Sequence, residues 1–540
     1  MEDDFRYVLT SEQMKIADAT AIRERGIPGI DLMEAAARGV VREVLNLRER
    51  GEEVAILVGP GNNGGDGIAV ARMLHLRGIP VTVLSTVDLS CMKGDAAEMV
   101  RRLMVHGVAV YPLVDAEGAL DGATLTEALT RASVVVDALL GTGMEGSLRH
   151  PYDQIIAAVN RASCRVVSVD VPSGCDADSG IGLPVSVMAD VTVTFGAPKP
   201  GILLEPGNLA AGRVVLRDIG IPRDVLRDAW SVGVSRLTWT HADLVRSYLP
   251  ERSAVGHKGT FGHLTVVGGS RGLTGAPTMT AEAALRTGAG TVTCVLPDEI
   301  QATVAAKLTE AMTVGLPTVD GDILVEDAAE ILEGLLGESD AIAIGPGLGR
   351  GQGAQEMVLS FLEELGDRSS PPIVIDADAI NALAPDPGVI RTFGLEGRIV
   401  LTPHPGEMAR LVDEEVKTIV EDRAGWARRA AVLTGGVVLL KGAPAVVASP
   451  GGTVAVNSTG NVGLATGGSG DVLTGIVAAL LAEGAPPWRA AVTACYVHGR
   501  AADIAIRGIH PRSLLPRDVT KYLSEVFVEL ESKRLSIPRE

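Results

Sequence analysis

Two α/β domains in one chain, each built on a mostly parallel sheet, are predicted by three observations. Short β-branched runs alternate with helix-like stretches through both halves of the sequence. Glycine-rich turns follow several of those runs directly, the place where open α/β sheets collect ligands. Near the middle, from Ile221 to Leu249, a charged, proline-punctuated stretch without strong periodicity interrupts the alternation.

In the first half the expected strands are Val54–Val58, Val81–Leu84, Val134–Leu140, Arg165–Val171 and Val191–Phe195, with helices at Gly67–Arg77 and Lys93–His106. Two helices precede them, Ser11–Arg25 and Asp31–Leu47, the first with Ser11 as its N-cap. The second series has strands at His263–Val267, Thr291–Leu296, Ala341–Ile344, Ile373–Ile375, Ile399–Leu401 and Val437–Leu440, closed by helices Asp471–Ala482 and Ala490–Arg507. The expected division is a first domain over 1–222, a linker over 223–240 and a second domain over 241–530.

Composition narrows the function. With 46% hydrophobic residues in 540, the chain has ample material for buried cores. The 48 basic and 67 acidic residues leave a formal charge of −19, the opposite of a nucleic-acid-binding footprint. Phosphate on a ligand must then be held by backbone N–H groups and helix N-termini. Five scattered cysteines with no C-x-x-C read as reduced thiols. The acidic start, MEDDFRYVLT, lacks a signal-peptide core, and no uninterrupted apolar run approaches the ~18 residues of a membrane span. A cytoplasmic protein with no membrane partner is expected.

Five turns carry candidate chemistry. Gly59-Pro-Gly61-Asn62-Asn63-Gly64-Gly65-Asp66 contains a G-x-G-x-x-G after a strand, and its amides and carboxylate sit at a helix mouth. Gly141-Thr142-Gly143-Met144-Glu145-Gly146-Ser147 repeats the pattern, after an Asp137 whose apolar surroundings demand a partner. Asp170 ends a strand before Pro-Ser173-Gly and reads equally as a general acid/base or a turn-stabilising carboxylate. His404-Pro405-Gly406-Glu407 opens a helix after a strand, as a ligand contact or as a plain turn. Most informative is Gly467-Gly468-Ser469-Gly470-Asp471 before an apolar helix: an anion hole for a phosphoryl group, with a carboxylate to take a proton from the attacking hydroxyl. No Walker A sequence is present.

The Gly-x-Gly-Asp turn resembles ribokinase-like kinases. The fuller set His257-Lys-Gly-Thr-Phe-Gly-His263, Gly345-Pro-Gly-Leu-Gly349, Asp376-Ala-Asp378-Ala, His404-Pro-Gly-Glu407 and Gly468-Ser-Gly-Asp471 resembles the ADP-dependent NAD(P)H-hydrate dehydratases. The first half, through Asn62–Asp66, Asp137, Gly141–Gly143 and Asp170–Gly174, resembles the NAD(P)H-hydrate epimerases, with which the dehydratases are commonly fused in this order. The resemblance implies a Rossmann-like first domain that interconverts the R and S epimers of nicotinamide cofactor hydrated at C6. The damaged cofactor would lie on Asn62, Asn63, Gly64, Gly65 and Asp66 and on Gly141, Thr142, Gly143, Met144, Glu145, Gly146 and Ser147, with Asp170 as acid/base. It implies potassium at Asn63, Asp137 and Ser173.

For the second domain it implies that the S hydrate is held by Gly349, by His404, Pro405, Gly406, Glu407, Met408, Ala409 and Arg410, and by the catalytic Asp471. ADP or ATP, with magnesium, would lie along Lys441, Gly442, Ala443, Pro444 and Ala445 and along Asn461, Gly467, Gly468, Ser469 and Gly470. A homo-oligomer is expected. Competing readings are a nicotinamide-dependent dehydrogenase using Asp88 for the ribose, a small-molecule kinase with a regulatory domain, and a first domain that only senses ligand.

Overall fold

Near-continuous apolar runs such as Val54–Val58 require a sheet covered on both faces, and the first half of the chain builds one. The computed structural model describes residues 6–531 except 50, 116, 144–147, 149, 183–184, 234–235, 320–321 and 367–369. The chain divides into two units between Leu237 and Thr238.

The first unit has strands β1 (Glu53–Val58), β2 (Val81–Ser85), β3 (Val110–Pro112), β4 (Ala132–Ala138), β5 (Arg165–Val169), β6 (Val191–Phe195) and β7 (Arg213–Arg217). They pair in parallel in the order β3-β2-β1-β4-β5-β6-β7. The order reverses between β1 and β4, which opens a crevice at their carboxyl ends. Sequence reading missed β3 and β7, which lie at the two sheet edges and contain no fully buried residue; β3 is short and mostly exposed, and the Val214–Leu216 run of β7 is flanked by arginines.

Two helix starts differ from expectation. Thr10, not Ser11, caps Ser11–Arg23: its hydroxyl accepts the Gln13 N–H at 3.2 Å, and the Gln13 side chain accepts the Thr10 N–H at 3.0 Å. The helix expected from Gly67 begins at Gly61, so Asn62–Asp66 form its first turns. Helix propensity argues against so many glycines there. Packing overrides it: a Cβ would overlap the Gly59 carbonyl from Gly64, the Ala96 and Met33 side chains from Gly65, and the Ala138 side chain from Gly67.

Residues 223–240 are not an irregular linker. They contain a helix, Arg223–Ser231, and a strand, Arg236–Trp239, inside which the division falls. Trp230 is buried at 2% exposure, 5.3 Å from the Tyr7 ring, and its indole N–H donates to the Leu237 carbonyl at 2.6 Å. Trp230→Ala is expected to cost the first unit about 3–5 kcal/mol, measured by urea unfolding. A loss below about 1 kcal/mol would place this segment outside the cooperative core.

In the second unit β8 (His263–Val267), β9 (Thr291–Pro297), β10 (Met312–Leu316), β11 (Ala341–Ile344), β12 (Ile373–Ile375), β13 (Ile399–Leu401), β14 (Val437–Leu440), β15 (Val446–Ala448) and β16 (Thr453–Val456) share one sheet. Their order is β16-β15-β14-β13-β12-β11-β8-β9-β10, parallel from β14 to β10 and antiparallel through β15 and β16. Helix Ser469–Ala482 packs on Gly275–Thr287 so closely that a Cβ on Gly475 would overlap the Thr280 carbonyl. No described helix is long and apolar enough to cross a membrane.

Candidate active sites of the two units

In the first unit four adjacent strands each end in a candidate residue. The Gly59–Gly61 turn follows β1, Asp137 lies in β4, Asp170 follows β5 and Lys199 follows β6. Asn62, Asn63, Asp66, Gly141, Thr142, Gly143 and Asp170 line one cavity of about 610 Å³, a volume suited to a small-molecule ligand. Pro60 offers no side-chain cap, so the N–H groups at the start of helix Gly61–His75 have no intrahelical partner and suit phosphate. Gly64 and Gly65 are packed against neighbouring backbone and side chains. Met144, Glu145, Gly146 and Ser147 lie outside the described residues.

Asp170 sits at φ 65°, a backbone region that non-glycine residues occupy under constraint from their surroundings. Its N–H donates to the Val193 carbonyl at 2.8 Å. One carboxylate oxygen accepts from Lys199 Nζ, from the Thr194 hydroxyl at 3.0 Å and from the Phe195 N–H at 3.4 Å. Lys199 is buried and was not anticipated from sequence; its only signal was a lysine among prolines just after a strand. Asp18, from helix Ser11–Arg23, was missed as well. Burial lifts its carboxyl to about 6, Lys199 lowering it and Asp170 raising it. Burial also pushes Asp66 well above the carboxylate range, helped by Asp170 and Asp18 and opposed by Lys199.

Asp137 is fully buried and has the partners its surroundings demand. It accepts from the Ser168 hydroxyl at 2.8 Å, the Ser173 N–H at 2.9 Å and the Ser173 hydroxyl at 2.5 Å. Burial raises its carboxyl against the lowering effect of these bonds. The Ser173 hydroxyl also accepts the Leu140 N–H at 2.9 Å, and the next residue, Gly141, lies against the Asn63 side chain. Asn63 Nδ2 is buried without a hydrogen-bond partner. Asp88, the ribose candidate of the dehydrogenase reading, caps a short turn by accepting the Ser90 N–H.

In the second unit the pattern recurs on β11, β12, β13 and β14, whose carboxyl ends lead to Gly349, Asp376, His404–Glu407 and Lys441. Asp376 is 1% exposed; it accepts from Lys441 Nζ at 2.5 Å and from the Thr474 hydroxyl at 2.6 Å. Burial alone would lower the Lys441 ammonium, yet Asp376, Glu407 and Asp471 hold it above the usual lysine range. Lys441 lies across Gly470, its Nζ 3.1 Å from where a Cβ would stand, so a side chain there would have to shift the ammonium by a few tenths of an ångström.

The helix expected from Asp471 starts two residues earlier, at Ser469, after a left-handed Gly468 (φ 96°). Asp471 therefore sits in its first turn. Burial, with Asp376, Glu407 and Asp378 nearby, raises its carboxyl to about 7 against the pull of Lys441. Behind it, buried His498 faces the Ser469 hydroxyl at 3.4 Å, and burial drops the imidazole to about 4.

His404 caps its helix: Nδ1 accepts the Gly406 N–H at 2.9 Å, while Glu407 returns a bond to the His404 N–H at 2.8 Å. Burial, with Lys441 and Arg410, lowers the imidazole, and Nδ1, which accepts two backbone N–H bonds, is left as an acceptor. Gly349 donates to Asp378 at 2.9 Å, and Arg410 reaches Asn381 at 2.8 Å. Met408 and Ala409 are buried and serve packing, whereas Gly442 and Ala443 lie exposed in the β14–β15 turn, which ends in Pro444 and Ala445. Asn461 is tied to Asp503 at 2.9 Å. Asp376, Thr474, His498 and Asp503 were absent from the expected site residues because each is brought there by a partner remote in the chain.

Fold and geometry together define the class: an α/β enzyme with a separate carboxylate-centred candidate site in each unit. The profile described as YjeF-related protein N-terminus matches residues 29–201, and that of NAD(P)H-hydrate dehydratase matches residues 264–525. The chain is 41% identical over 531 residues to the bifunctional NAD(P)H-hydrate repair enzyme Nnr of Moorella thermoacetica, covering 98% of each sequence. It is 34% identical to the Escherichia coli enzyme of that name, covering 87% of this chain and 84% of that one. Among solved structures, the ADP/ATP-dependent NAD(P)H-hydrate dehydratase of Bacillus subtilis co-crystallised with ATP and Mg2+ is 30% identical, covering 56% of this chain and 100% of that one with a TM-score of 0.46. The chain belongs to the family of bifunctional NAD(P)H-hydrate repair enzymes.

Proposed function

We propose that this chain returns hydrated NADH and NADPH to their working forms, the first unit interconverting the R and S hydrates and the second dehydrating the S hydrate at the expense of ADP or ATP. The observation that carries the second half is Asp471 in the first turn of helix Ser469–Ala482, with Lys441 lying across Gly470. Asp471 takes the proton of the C6 hydroxyl, while the N–H groups of Gly468–Gly470 and the Lys441 ammonium receive the phosphoryl group. Water leaves C6 poorly and phosphate leaves it well, so the transfer turns the hydroxyl into a leaving group. His404 and the Asp378-bound Gly349, at the ends of the strands on either side of β12, would meet the hydrate.

Magnesium would enter on the nucleotide phosphates and neutralise charge there, a common mode of binding for this ion. Among the described residues no cluster of His, Cys, Asp or Glu is set to hold a metal by itself, so the ion would depend on the phosphates that Gly468–Gly470 and Lys441 receive. In the first unit the oxygens of Asn63, Asp137 and Ser173 suit potassium, which carbonyl-type oxygens strip of its hydration shell. All five cysteines are free thiols, in keeping with a reducing cytoplasm.

Incubation with NADH hydrate, magnesium and ADP is expected to restore NADH absorbance and release free phosphate. A stable phosphorylated product would instead mark a small-molecule kinase. Because Asp471 must be ionised to act as base and its carboxyl lies at about 7, kcat/KM for dehydration should rise with pH through neutrality and level above it. A profile flat from pH 5.5 to 8.5 would exclude Asp471 as the base.

A further inference from the structure

The first unit's cavity holds more acid than its one assigned acid/base needs. Asp18, Asp66 and Asp170 converge on it around a single buried ammonium, Lys199, with Lys15 and Asp95 also in its lining. The three Lys199 donors are all spent: on the Asp170 carboxylate, on the Thr194 hydroxyl at 3.2 Å and on the Phe195 carbonyl at 3.3 Å. Lys199 is thus pinned against Asp170. The second Asp170 oxygen accepts no hydrogen bond among the described residues, and the residue lines the cavity. Asp66 is different. It is 9% exposed and lines the same cavity, and its carboxyl makes no hydrogen bond or ion pair among the described residues. A carboxyl so placed is costly when ionised and available when protonated.

We propose that Asp66 is the second catalytic group of epimerisation, a proton donor working with Asp170 as base, and that Lys199 is the positioning residue that assigns those two roles. The proposal rests on the reading of the first unit as an epimerase. Asp66 gives its proton to the C6 hydroxyl oxygen; the C6–O bond breaks, its electron pair leaving with water, and the N1 lone pair forms a C6–N1 double bond. Water then adds to the other face of C6, the double-bond pair returns to N1, and Asp170 takes the proton that the added water loses. Solvent in the cavity carries that proton back to Asp66. Nothing is oxidised or reduced, and the product is the opposite epimer.

The test follows R–S interconversion without nucleotide, using the full chain, with dehydration of pure S hydrate as a folding control in the other unit. Asp66→Asn is expected to lower kcat for epimerisation by about 10²–10⁴-fold while KM stays within about threefold. Lys199→Met should lower kcat and move the acid limb of its pH profile upward, because the base then ionises without a neighbouring cation; Lys199→Arg should restore both. A kcat for Asp66→Asn within threefold of the parent, a change confined to KM, or an unmoved acid limb in Lys199→Met would overturn the proposal. If Asp66→Asn unfolds the first unit, the unmodified enzyme decides. A required protonated carboxyl gives a rate that falls again at high pH, and a plateau up to pH 9 counts against it. Absence of any interconversion by the unmodified enzyme would instead sink the epimerase reading itself.

Discussion

Asp471→Asn is expected to lower ADP-dependent dehydration by about 10²–10⁴-fold and to leave epimerisation unchanged. Asparagine keeps the size and polarity of the side chain, and the backbone around it is held independently. Gly468 sets the left-handed entry to the helix, and the Thr280 hydroxyl bonds the Asp471 carbonyl at 3.1 Å. What disappears is the ability to accept a proton. The Lys441 ammonium keeps its 2.5 Å bond to Asp376, so the anion hole survives and nucleotide affinity should change little. Dehydration of pure S hydrate, assayed beside R–S interconversion, separates the outcomes. Loss of both activities, or a dehydration rate within tenfold of the parent, would break the assignment.

Asp170→Asn is expected to do the reverse, with a cost in stability as well. The substitution removes the carboxylate that pairs with Lys199, whose side chain is 1% exposed. Stranding a buried charge costs about 3–5 kcal/mol, so the first unit should unfold at lower urea concentration. Epimerisation should fall by about 10²–10⁴-fold, while pure S hydrate is still dehydrated at the parental rate. On R hydrate alone, recovery of NADH should stall at the spontaneous epimerisation rate. Prompt recovery from R hydrate by this variant would remove Asp170 from the reaction.

Much of the frame was legible beforehand because it follows from local pattern. Central strands such as Val54–Val58 and Ile373–Ile375 are buried on both faces and so read as plain apolar runs. The edge strands Val110–Pro112 and Arg213–Arg217 have no fully buried residue and only short apolar stretches, and they escaped notice. Helix starts were misplaced at Gly61 and Ser469 for one reason in both cases. Glycine argues against helix by propensity, and these glycines are in helices because neighbouring atoms leave no room for a Cβ at Gly64, or because Lys441 lies over Gly470. The charged stretch at 223–240 looked like a tether, while its Trp230 is core.

Glycine turns, terminal carboxylates and the apolar strands before them are properties of neighbours in the chain, so Asp170, Asp471 and His404 were visible from the primary structure alone. Partnerships were not. Lys199 meets Asp170 because β6 lies beside β5, Asp18 enters from a helix near the chain start, and Asp376 reaches Lys441 across the strand between theirs. Which carboxyl keeps a proton depends on those distances and on burial, and both exist only once the sheets have assembled.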